Sequence, residues 1–276
     1  MTYSAKATTN NKPIVANLTF FVDNGIPPIN YVTDKGLERG GEYREHALKL
    51  IDGRSLSYNL SLNKEGFEFI NHNTSVDNFY DNDEIEQVYN SEIIDLIKKR
   101  TGAHDVVVFD HTVRVENENL RDEKGVREPV LFVHNDYTHE SGPQRVRDLI
   151  PKDRAESLLA NRFNIINIWR SIAGPVVTTP LAVCDATTIS QGQLITAERR
   201  TKDRIGHTQA MTYNDDNKWY YFSEMKRNEA LLIKTYESDE AMYGGPSGHS
   251  AFKNSSAPSD SLPRQSIETR VFAFYQ

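Results

Sequence analysis

The sequence predicts a mainly β protein whose double-sheet core is decorated by helices. Apolar runs of strand length recur along the second half of the chain and are separated by turn-forming residues, whereas the helical patterns end by Ala160. Many short strands with few helices are typical of two-sheet β domains. With 276 residues, of which 38% are hydrophobic, the chain is long enough to bury one large core.

The N-terminal part is predicted to contain strands and one long helix. Ile14–Val22 is an apolar strand, and the alternating run Leu56–Leu62 is predicted to pair with Gly66–Ile70 as a hairpin. Asp83–Arg100 is predicted to be helical because its apolar residues recur on one face. Basic residues in its last turn and the following Gly102 are typical of a helix C-terminus.

The rest of the chain alternates between strand-length apolar runs and one broken helix. Gln144–Ala160 is predicted to be helical with a break at Pro151. The apolar runs are Val106–Phe109, Val130–Val133, Phe163–Trp169, Leu181–Cys184, Thr208–Tyr213, Lys218–Phe222, Ala230–Tyr236 and Ile267–Tyr275. We expect a single domain over residues 1–276, with residues 1–50 as an N-terminal extension and residues 51–276 as the core.

Composition excludes several classes of partner. The chain has 32 basic and 39 acidic residues and a formal charge of −7, so no nucleic acid is expected, because its binding depends on Lys and Arg. No apolar stretch has the length of a transmembrane helix, so no membrane partner is expected. The polar N-terminus lacks the apolar segment of a signal peptide, and Cys184 is the single cysteine. We therefore predict a cytoplasmic protein in a reducing compartment.

Two side chains that commonly bind metal ions stand at the end of an apolar run. His134 and Asp136 are separated by one residue. On a strand, residues two apart point to the same face, so the imidazole and the carboxylate would lie side by side. A second histidine from a distant strand would complete a facial set that suits Fe(II), because it leaves adjacent coordination positions open. A surface histidine beside a turn aspartate is the alternative explanation of the pair.

Two histidines are candidates for the third ligand. His249 lies in a turn-like stretch that enters an apolar patch, and it is preferred because Arg264 and Ser266 follow at short range. His207 precedes a predicted strand and is the alternative, although no such arginine follows it.

Arginines near the third ligand fit a cosubstrate that carries a carboxylate. Arg264, with Ser266 two positions on, offers two parallel N–H bonds and a hydroxyl, which is the chemistry that would anchor 2-oxoglutarate. Arg270 on the final strand is the second candidate for this anchor, unless Glu268 simply satisfies its charge. Arg170, at the end of a predicted strand, either contacts substrate or cosubstrate or forms a structural ion pair.

The order of these motifs resembles that in the Fe(II)/2-oxoglutarate-dependent oxygenases. More specifically, the chain from about Asp52 onward resembles the hydroxylase/desaturase family of fungi and bacteria, which includes gibberellin desaturase, the cephamycin hydroxylase component and a meroterpenoid endoperoxidase. Ten segments in order are far more specific than any one of them. These segments are Asp52-Gly53-Arg54, Gly66-Phe67-Glu68, Thr101-Gly102-Ala103, Phe109-Asp110-His111-Thr112-Val113-Arg114, Val133-His134-Asn135-Asp136-Tyr137, Asn167-Ile168-Trp169-Arg170, Pro180-Leu181-Ala182-Val183-Cys184-Asp185, Trp219-Tyr220-Tyr221-Phe222, His249-Ser250-Ala251-Phe252 and Pro263-Arg264-Gln265-Ser266-Ile267-Glu268.

The resemblance implies a double-stranded β-helix, or jelly roll, with His134, Asp136 and His249 as the Fe(II) ligands. It also implies that O₂ and 2-oxoglutarate are consumed and that succinate and CO₂ are released. The substrate would be a small specialised metabolite that is hydroxylated, desaturated, cyclised or converted to an endoperoxide.

The composition and the resemblance also lead to expectations about the partners of the protein and to two alternative functions. An acidic composition without a basic patch points to an apolar or amphipathic substrate. The first forty residues match the family poorly, and we expect them to shape the substrate pocket or an oligomer contact, such as that of a homodimer. A cupin-like protein that binds a ligand without catalysis, and a metal-dependent lyase or isomerase on the same fold, are the alternative functions.

Overall fold

The computed structural model describes residues 13–33, 36–241 and 244–276, and within them the fold is mainly β. The strands, in chain order, are β1 (Ile14–Phe21), β2 (Ile29–Thr33), β3 (Gly36–Glu38), β4 (Tyr43–Asp52), β5 (Phe67–Asn71), β6 (Asp105–Val115), β7 (His134–Asn135), β8 (Phe163–Ser171), β9 (Leu181–Cys184), β10 (Leu194–Arg200), β11 (Ile205–Met211), β12 (Trp219–Tyr221), β13 (Glu229–Glu237), β14 (His249–Ala251) and β15 (Gln265–Phe274).

These strands form two sheets whose inner faces enclose a shared core. In the part of the chain that the structure describes, the large sheet has the order β1-β4-β12-β9-β14-β7-β11-β10-β2-β3, and the small sheet has the order β5-β13-β8-β15-β6. Both sheets contribute to the core between them, which includes Phe67, Trp169, Val183 and Leu231. The predicted double-sheet β architecture is therefore confirmed.

The first strands cover the outer side of the large sheet. β1 pairs with β4, and Phe21 also forms an isolated parallel bridge to Thr212. The carbonyl of Thr19 accepts a hydrogen bond from the backbone N–H of Val133 at 2.8 Å. The strand pair thus encloses a second apolar core, whose buried members include Leu18, Phe20, Leu50, Val133, Cys184, Met211, Trp219 and Phe252. Because Val133 directly precedes His134, this core holds the backbone at the first predicted ligand.

Strands from the first fifty residues are therefore joined to the large sheet rather than standing apart from it. β1 lies wholly within this segment, and β4 ends just beyond it and pairs with β12. The organisation of the chain as a single domain stays a prediction.

The long helix packs on the outer face of the small sheet. The helices of the described residues are α1 (Asn82–Glu84), α2 (Asn90–Thr101), α3 (Glu118–Lys124), α4 (Ser141–Leu149) and α5 (Lys152–Leu159), and a π-helical turn, Ile85–Tyr89, joins α1 to α2. Ile93 and Ile97 of α2 are buried in one cluster with Ile168 of β8. Gly102 ends α2 with a φ of 72°, as predicted, and the chain breaks between α4 and α5 at Pro151. Among these helices, none is long and apolar enough to cross a membrane.

The predicted hairpin before the long helix is wrong. Leu56–Leu62 falls on a 3-10 helix, Gly53–Asn59, and the turn that follows it, whereas β5 pairs with β13. Asp52 caps this helix, because its carboxylate accepts the N–H of Arg54 at 3.1 Å. A long strand, β4, is also absent from the sequence-based prediction, because exposed charged side chains occupy its first half and hide the apolar alternation.

Candidate active site

Three side chains of the types that can bind a metal ion converge on the inner face of the large sheet. His134 lies on β7 and pairs across the strands with His249 on β14, so both imidazoles project to the same side. Asp136 follows directly after β7. One ligand atom from each of the three residues lies within 4.8 Å of the other two, and the histidine ring centroids are 4.4 Å apart. The structure therefore brings together the three residues that the sequence singled out.

Hydrogen bonds orient both imidazoles with one nitrogen free. The Nδ1 atom of His134 lies 2.9 Å from the carbonyl oxygen of Phe132, and the Nδ1 atom of His249 lies 3.2 Å from that of Ser247. A carbonyl only accepts hydrogen bonds, so each Nδ1 carries a proton, and Nε2 is the nitrogen of each ring that can bind a metal ion. Burial, with His249 acting in the same direction, lowers the pKa of His134 to about 4. The His134 ring is therefore neutral near pH 7.

The carboxylate of Asp136 is charged and is oriented by two hydrogen-bond donors on the small sheet. Its Oδ2 atom accepts hydrogen bonds from Asn167 Nδ2 at 2.8 Å and from Arg270 Nε at 3.0 Å. Its Oδ1 atom lies 3.5 Å from His134 Nε2. Burial alone would raise the pKa of Asp136, but the guanidinium of Arg270 holds it well below its usual range. One carboxylate oxygen is thus fixed by the protein, while the other faces the histidines.

This donor set fits a divalent metal ion. The Nε2 atom of His249 is buried and has no hydrogen-bond partner among the described residues, which is costly for a polar atom unless something else occupies the site. Two imidazoles and one carboxylate, converging from one side, are the donors that non-haem Fe(II) oxygenases use. The arrangement supplies a charge of −1 toward a dication.

Arg270 is held by carboxylates of the protein itself. In addition to Asp136, its guanidinium bonds to Asp110 and Glu268, and it lies 3.2 Å from Thr112 Oγ1. Although burial acts in the opposite sense, these carboxylates raise the pKa of Arg270 well above its ordinary value. With most of its donors engaged, Arg270 orients Asp136 and is not open to a second carboxylate.

Arg264 is a buried cation whose side chain makes no ion pair within the described residues, although the Glu116 carboxylate accepts its backbone N–H at 2.9 Å. Its Nε atom donates to Ser266 Oγ at 3.0 Å, its Nη1 atom donates to the carbonyl of Thr179 at 3.1 Å, and its guanidinium lies 4.9 Å from the ring centroid of Trp169. Only 2% of the residue is exposed, and no side-chain carboxylate in the described ranges forms an ion pair with it. Burial, followed by repulsion from Arg114, lowers the pKa of Arg264 to about 9. A buried guanidinium of this kind is suited to receive an anion.

The structure does not bring Arg170 or His207 to the site. Arg170 lies on the face of β8 that packs on the helices, where it donates to Tyr89 Oη at 2.9 Å and to the carbonyl of Arg227 at 3.0 Å. Its even position in the strand directs it away from Asn167, because side chains alternate. His207 is exposed, and it lies on the face of β11 opposite to that of Ala210, which pairs with His134.

Sequence reasoning missed the polar face of β6. Asp110, Thr112 and Arg114 alternate along this strand and pair with Arg270, Glu268 and Ser266, respectively. A polar residue at every second position, next to an apolar run, is a signal for a strand with a polar inner face. The signal becomes informative only when β6 is known to lie beside β15.

Comparison with known proteins places the chain in a family. The family model described as "Oxidoreductase/YMDC permease-like domain" matches residues 3–274. The chain belongs to this family. It is 32% identical over 237 residues to an Fe(II)/2-oxoglutarate-dependent dioxygenase of Aspergillus novofumigatus, with 83% of each chain covered. It is 31% identical over 257 residues to a hydroxylase/desaturase of Cercospora beticola, with 85% of this chain and 78% of that relative covered.

The fold of this oxidoreductase is also shared with a solved enzyme. An iron and alpha-ketoglutarate-dependent endoperoxidase superposes with a TM-score of 0.86 at 28% identity, over 96% of this chain and 98% of that one. The jelly-roll prediction is therefore confirmed. The protein is an Fe(II)/2-oxoglutarate-dependent oxygenase related to the fungal hydroxylase/desaturases, and Fe(II), 2-oxoglutarate and O₂ are its cofactor and cosubstrates.

Proposed function

We propose that His134, Asp136 and His249 hold the Fe(II) of this oxygenase and that Arg264, with Ser266, binds the distal carboxylate of 2-oxoglutarate. The observation that carries the metal assignment is the buried Nε2 atom of His249, which lacks a hydrogen-bond partner among the described residues and faces the other two ligands. An orphaned acceptor in a dry site is stabilised by a cation.

The cosubstrate assignment is supported by the unpaired charge of Arg264. Its bonds to Ser266 and Thr179 use two N–H donors and leave the rest of the guanidinium available. Those two hydrogen bonds also fix the plane of the Arg264 guanidinium, so little side-chain entropy is lost when a carboxylate binds. Arg270 is the weaker candidate, because Asp110, Asp136 and Glu268 already neutralise it.

The residues of the chain bind and orient, and the bound cofactors supply the redox chemistry. Fe(II) together with 2-oxoglutarate supplies the activation of O₂ that oxidises a substrate C–H bond. His134 and His249 present their Nε2 atoms as donors, and Asn167 and Arg270 keep Asp136 charged and aligned. The carboxylates nearest the triad, Asp110 and Glu268, are bonded to Arg270 and are not free for general base catalysis.

The proposed reaction is the oxidation of a small metabolite with release of succinate and CO₂. The solved neighbour is titled an endoperoxidase, and the relative from Cercospora beticola is named a hydroxylase/desaturase. We place the product in the same range of outcomes, which are hydroxylation, desaturation, ring formation and peroxide formation. One domain over residues 1–276 is proposed to carry the whole activity.

Anaerobic Fe(II) titration of single alanine variants tests the ligand assignment. His134→Ala, Asp136→Ala and His249→Ala should each lose tight Fe(II) binding, because two remaining donors do not form a facial cap. His207→Ala is the matched control and should bind Fe(II) as the unmodified protein does. Full-strength binding by His249→Ala, or loss of binding in His207→Ala, would contradict the assignment.

A further inference from the structure

Three arginines lie beside the triad without a role in the proposed chemistry. Arg114 and Arg127 form a backbone bridge at the outer edge of the small sheet. Arg114 pairs across the strands with Ser266, so its side chain lies on the inner face of that sheet. Arg199 stands on β10 of the large sheet. We call Arg114, Arg127 and Arg199 the mouth arginines.

The strand register directs Arg199 toward the metal ligands. Ile195 on β10 pairs with Ala210 on β11, and Ala210 pairs with His134 on β7. Residues that pair across strands share a face, and so do residues two apart, so Arg199 projects to the same side as His134. Arg114 and Arg199 therefore reach the space between the sheets from its two sides, and Arg127 lies next to Arg114 through their backbone bridge.

Among the residues that the structure describes, no carboxylate forms an ion pair with any of the mouth arginines. Within the described residues, the three guanidinium groups make a single hydrogen bond, which Arg114 Nη1 donates to the backbone carbonyl of Glu128 at 3.0 Å. In contrast, the neighbouring surface arginine Arg200 is paired with Glu198 at 2.6 Å. The inner carboxylates near the triad are already bonded to Arg270. A chain with a net charge of −7 thus concentrates unpaired positive charge at one opening.

The electrostatics agree with this placement. Burial lowers the pKa of Arg199, and repulsion from Arg127, Arg270 and Arg114 lowers it further, whereas Asp136 acts in the opposite direction. Burial also lowers the pKa of Arg114. These groups therefore share one region around the ligand Asp136. The basic patch was invisible in the sequence, because its members come from three separate segments.

We infer that the mouth arginines bind a carboxylate on the substrate, which makes the substrate an amphipathic organic acid. This inference rests on the proposed function, because the site it completes is that of the Fe(II)/2-oxoglutarate oxygenase. The ring of Phe132 lies 5.2 Å from that of His134, and the guanidinium of Arg39 covers one face of it with Cζ 3.6 Å from the ring centroid, so an aromatic group and a further cation adjoin the metal ligands. The substrate is therefore expected to place its acid on the arginines and its apolar part near the metal.

The position of the arginines favours the substrate over 2-oxoglutarate as the source of that carboxylate. Arg264, the proposed anchor of 2-oxoglutarate, is buried over Trp169. Arg199 is half-buried and Arg127 is exposed, so they stand nearer to solvent. A ligand that enters after the cosubstrate meets these two residues first, and their charge would also accelerate the encounter with an anion.

Matched pairs of acids and methyl esters test the inference. The probes are decanoic, cinnamic and abietic acids, each beside its methyl ester, titrated anaerobically by calorimetry into protein loaded with Fe(II) and saturating 2-oxoglutarate. At least one acid should bind about tenfold or more tightly than its ester, as a charge-assisted contact implies. Arg199→Gln and Arg127→Gln should each reduce this preference, and Arg200→Gln is the control that should retain it.

The possible results distinguish a failure of this inference from a failure of the proposed function. Equal binding of every acid and its ester, or an acid preference that survives in the Arg127→Gln/Arg199→Gln double variant, would overturn the inference. A loss of 2-oxoglutarate affinity in Arg199→Gln, measured separately, would assign the arginines to the cosubstrate and would also overturn it. Failure of the unmodified protein to bind Fe(II) or 2-oxoglutarate would instead refute the proposed function.

Discussion

Replacing Arg264 by methionine should make the protein more stable and unable to bind 2-oxoglutarate tightly. The guanidinium is buried and makes no ion pair in the described part of the chain, and burial together with repulsion from Arg114 lowers its pKa to about 9 from 12.5, although Glu268 and Glu116 act in the opposite direction. That shift corresponds to a cost of the order of 5 kcal/mol for the charged form in the folded state. Loss of the bonds to Ser266 and Thr179 costs about 1 kcal/mol each. The free energy of unfolding of the cofactor-free variant should therefore rise by roughly 1–3 kcal/mol.

The effect on cosubstrate binding has the opposite sign. A carboxylate held by two charge-assisted hydrogen bonds loses about 3 kcal/mol when the guanidinium is removed, which is roughly a 150-fold weaker affinity. Arg264→Lys should not restore it fully, because an ammonium group lacks the planar fork. Calorimetric titration of 2-oxoglutarate into the Fe(II)-loaded protein, and urea unfolding of the cofactor-free protein, measure the two effects.

Arg170→Met is the matched control for this experiment. Arg170 is also a buried arginine, but it bonds to Tyr89 and to the carbonyl of Arg227 behind the small sheet. Its removal should destabilise the protein and leave the affinity for 2-oxoglutarate unchanged. If Arg264→Met kept the cosubstrate affinity, or if it lost stability as Arg170→Met does, Arg264 would be a structural residue and the reasoning would be refuted.

Three further changes have defined outcomes. Ser266→Ala should weaken 2-oxoglutarate binding about fivefold, because one hydroxyl contact is worth about 1 kcal/mol; titration calorimetry checks this, and an unchanged affinity would exclude the hydroxyl from the site. Asn167→Ala removes the 2.8 Å hydrogen bond to Asp136 and should weaken Fe(II) binding about 10- to 100-fold. Anaerobic Fe(II) titration measures this affinity, and an unchanged affinity would contradict the prediction. The pKa of His134 is lowered from 6.5 to about 4 in the folded state, so the stability it contributes is complete above about pH 6.5 and is lost as the pH falls toward 4, by up to about 3 kcal/mol. His134→Gln should lack this loss when urea unfolding of the metal-free proteins is compared at about pH 7 and about pH 4.5, and an equal loss in both proteins would contradict the shift.

The elements that could be predicted from the sequence are those whose pattern is local. The helix over Asp83–Arg100 and the strand at Ile14–Val22 have apolar residues at the right period, and the structure contains both. Leu56–Leu62 has strand-like alternation, but the capping bond from Arg54 to Asp52 selects a 3-10 helix. Alternation alone does not reveal such side-chain bonds to the backbone.

The residues of the site likewise fall into those that local sequence could predict and those that depend on contacts between distant segments. His134 and Asp136 are separated by one residue, so their common direction could be inferred, and His249 could be preferred because Arg264 and Ser266 follow it at short range. The bonding of Arg270 to Asp110 and the meeting of Arg114 with Arg199 depend on strand pairing between distant segments. Arg170 shows the converse, because its residue type suited a cosubstrate contact while its even position in β8 directs it to the helices.

The most direct test of the account is isotope labelling of succinate. The protein is loaded with Fe(II) and incubated with 2-oxoglutarate, ascorbate and ¹⁸O₂, and the succinate is analysed by mass spectrometry. We predict succinate that carries one labelled oxygen atom, no such succinate from His249→Ala or Asp136→Ala, and unchanged formation by His207→Ala. Unlabelled succinate, or labelled succinate from His249→Ala at the rate of the unmodified protein, would contradict the proposal that this triad holds the iron of a 2-oxoglutarate-dependent oxygenase.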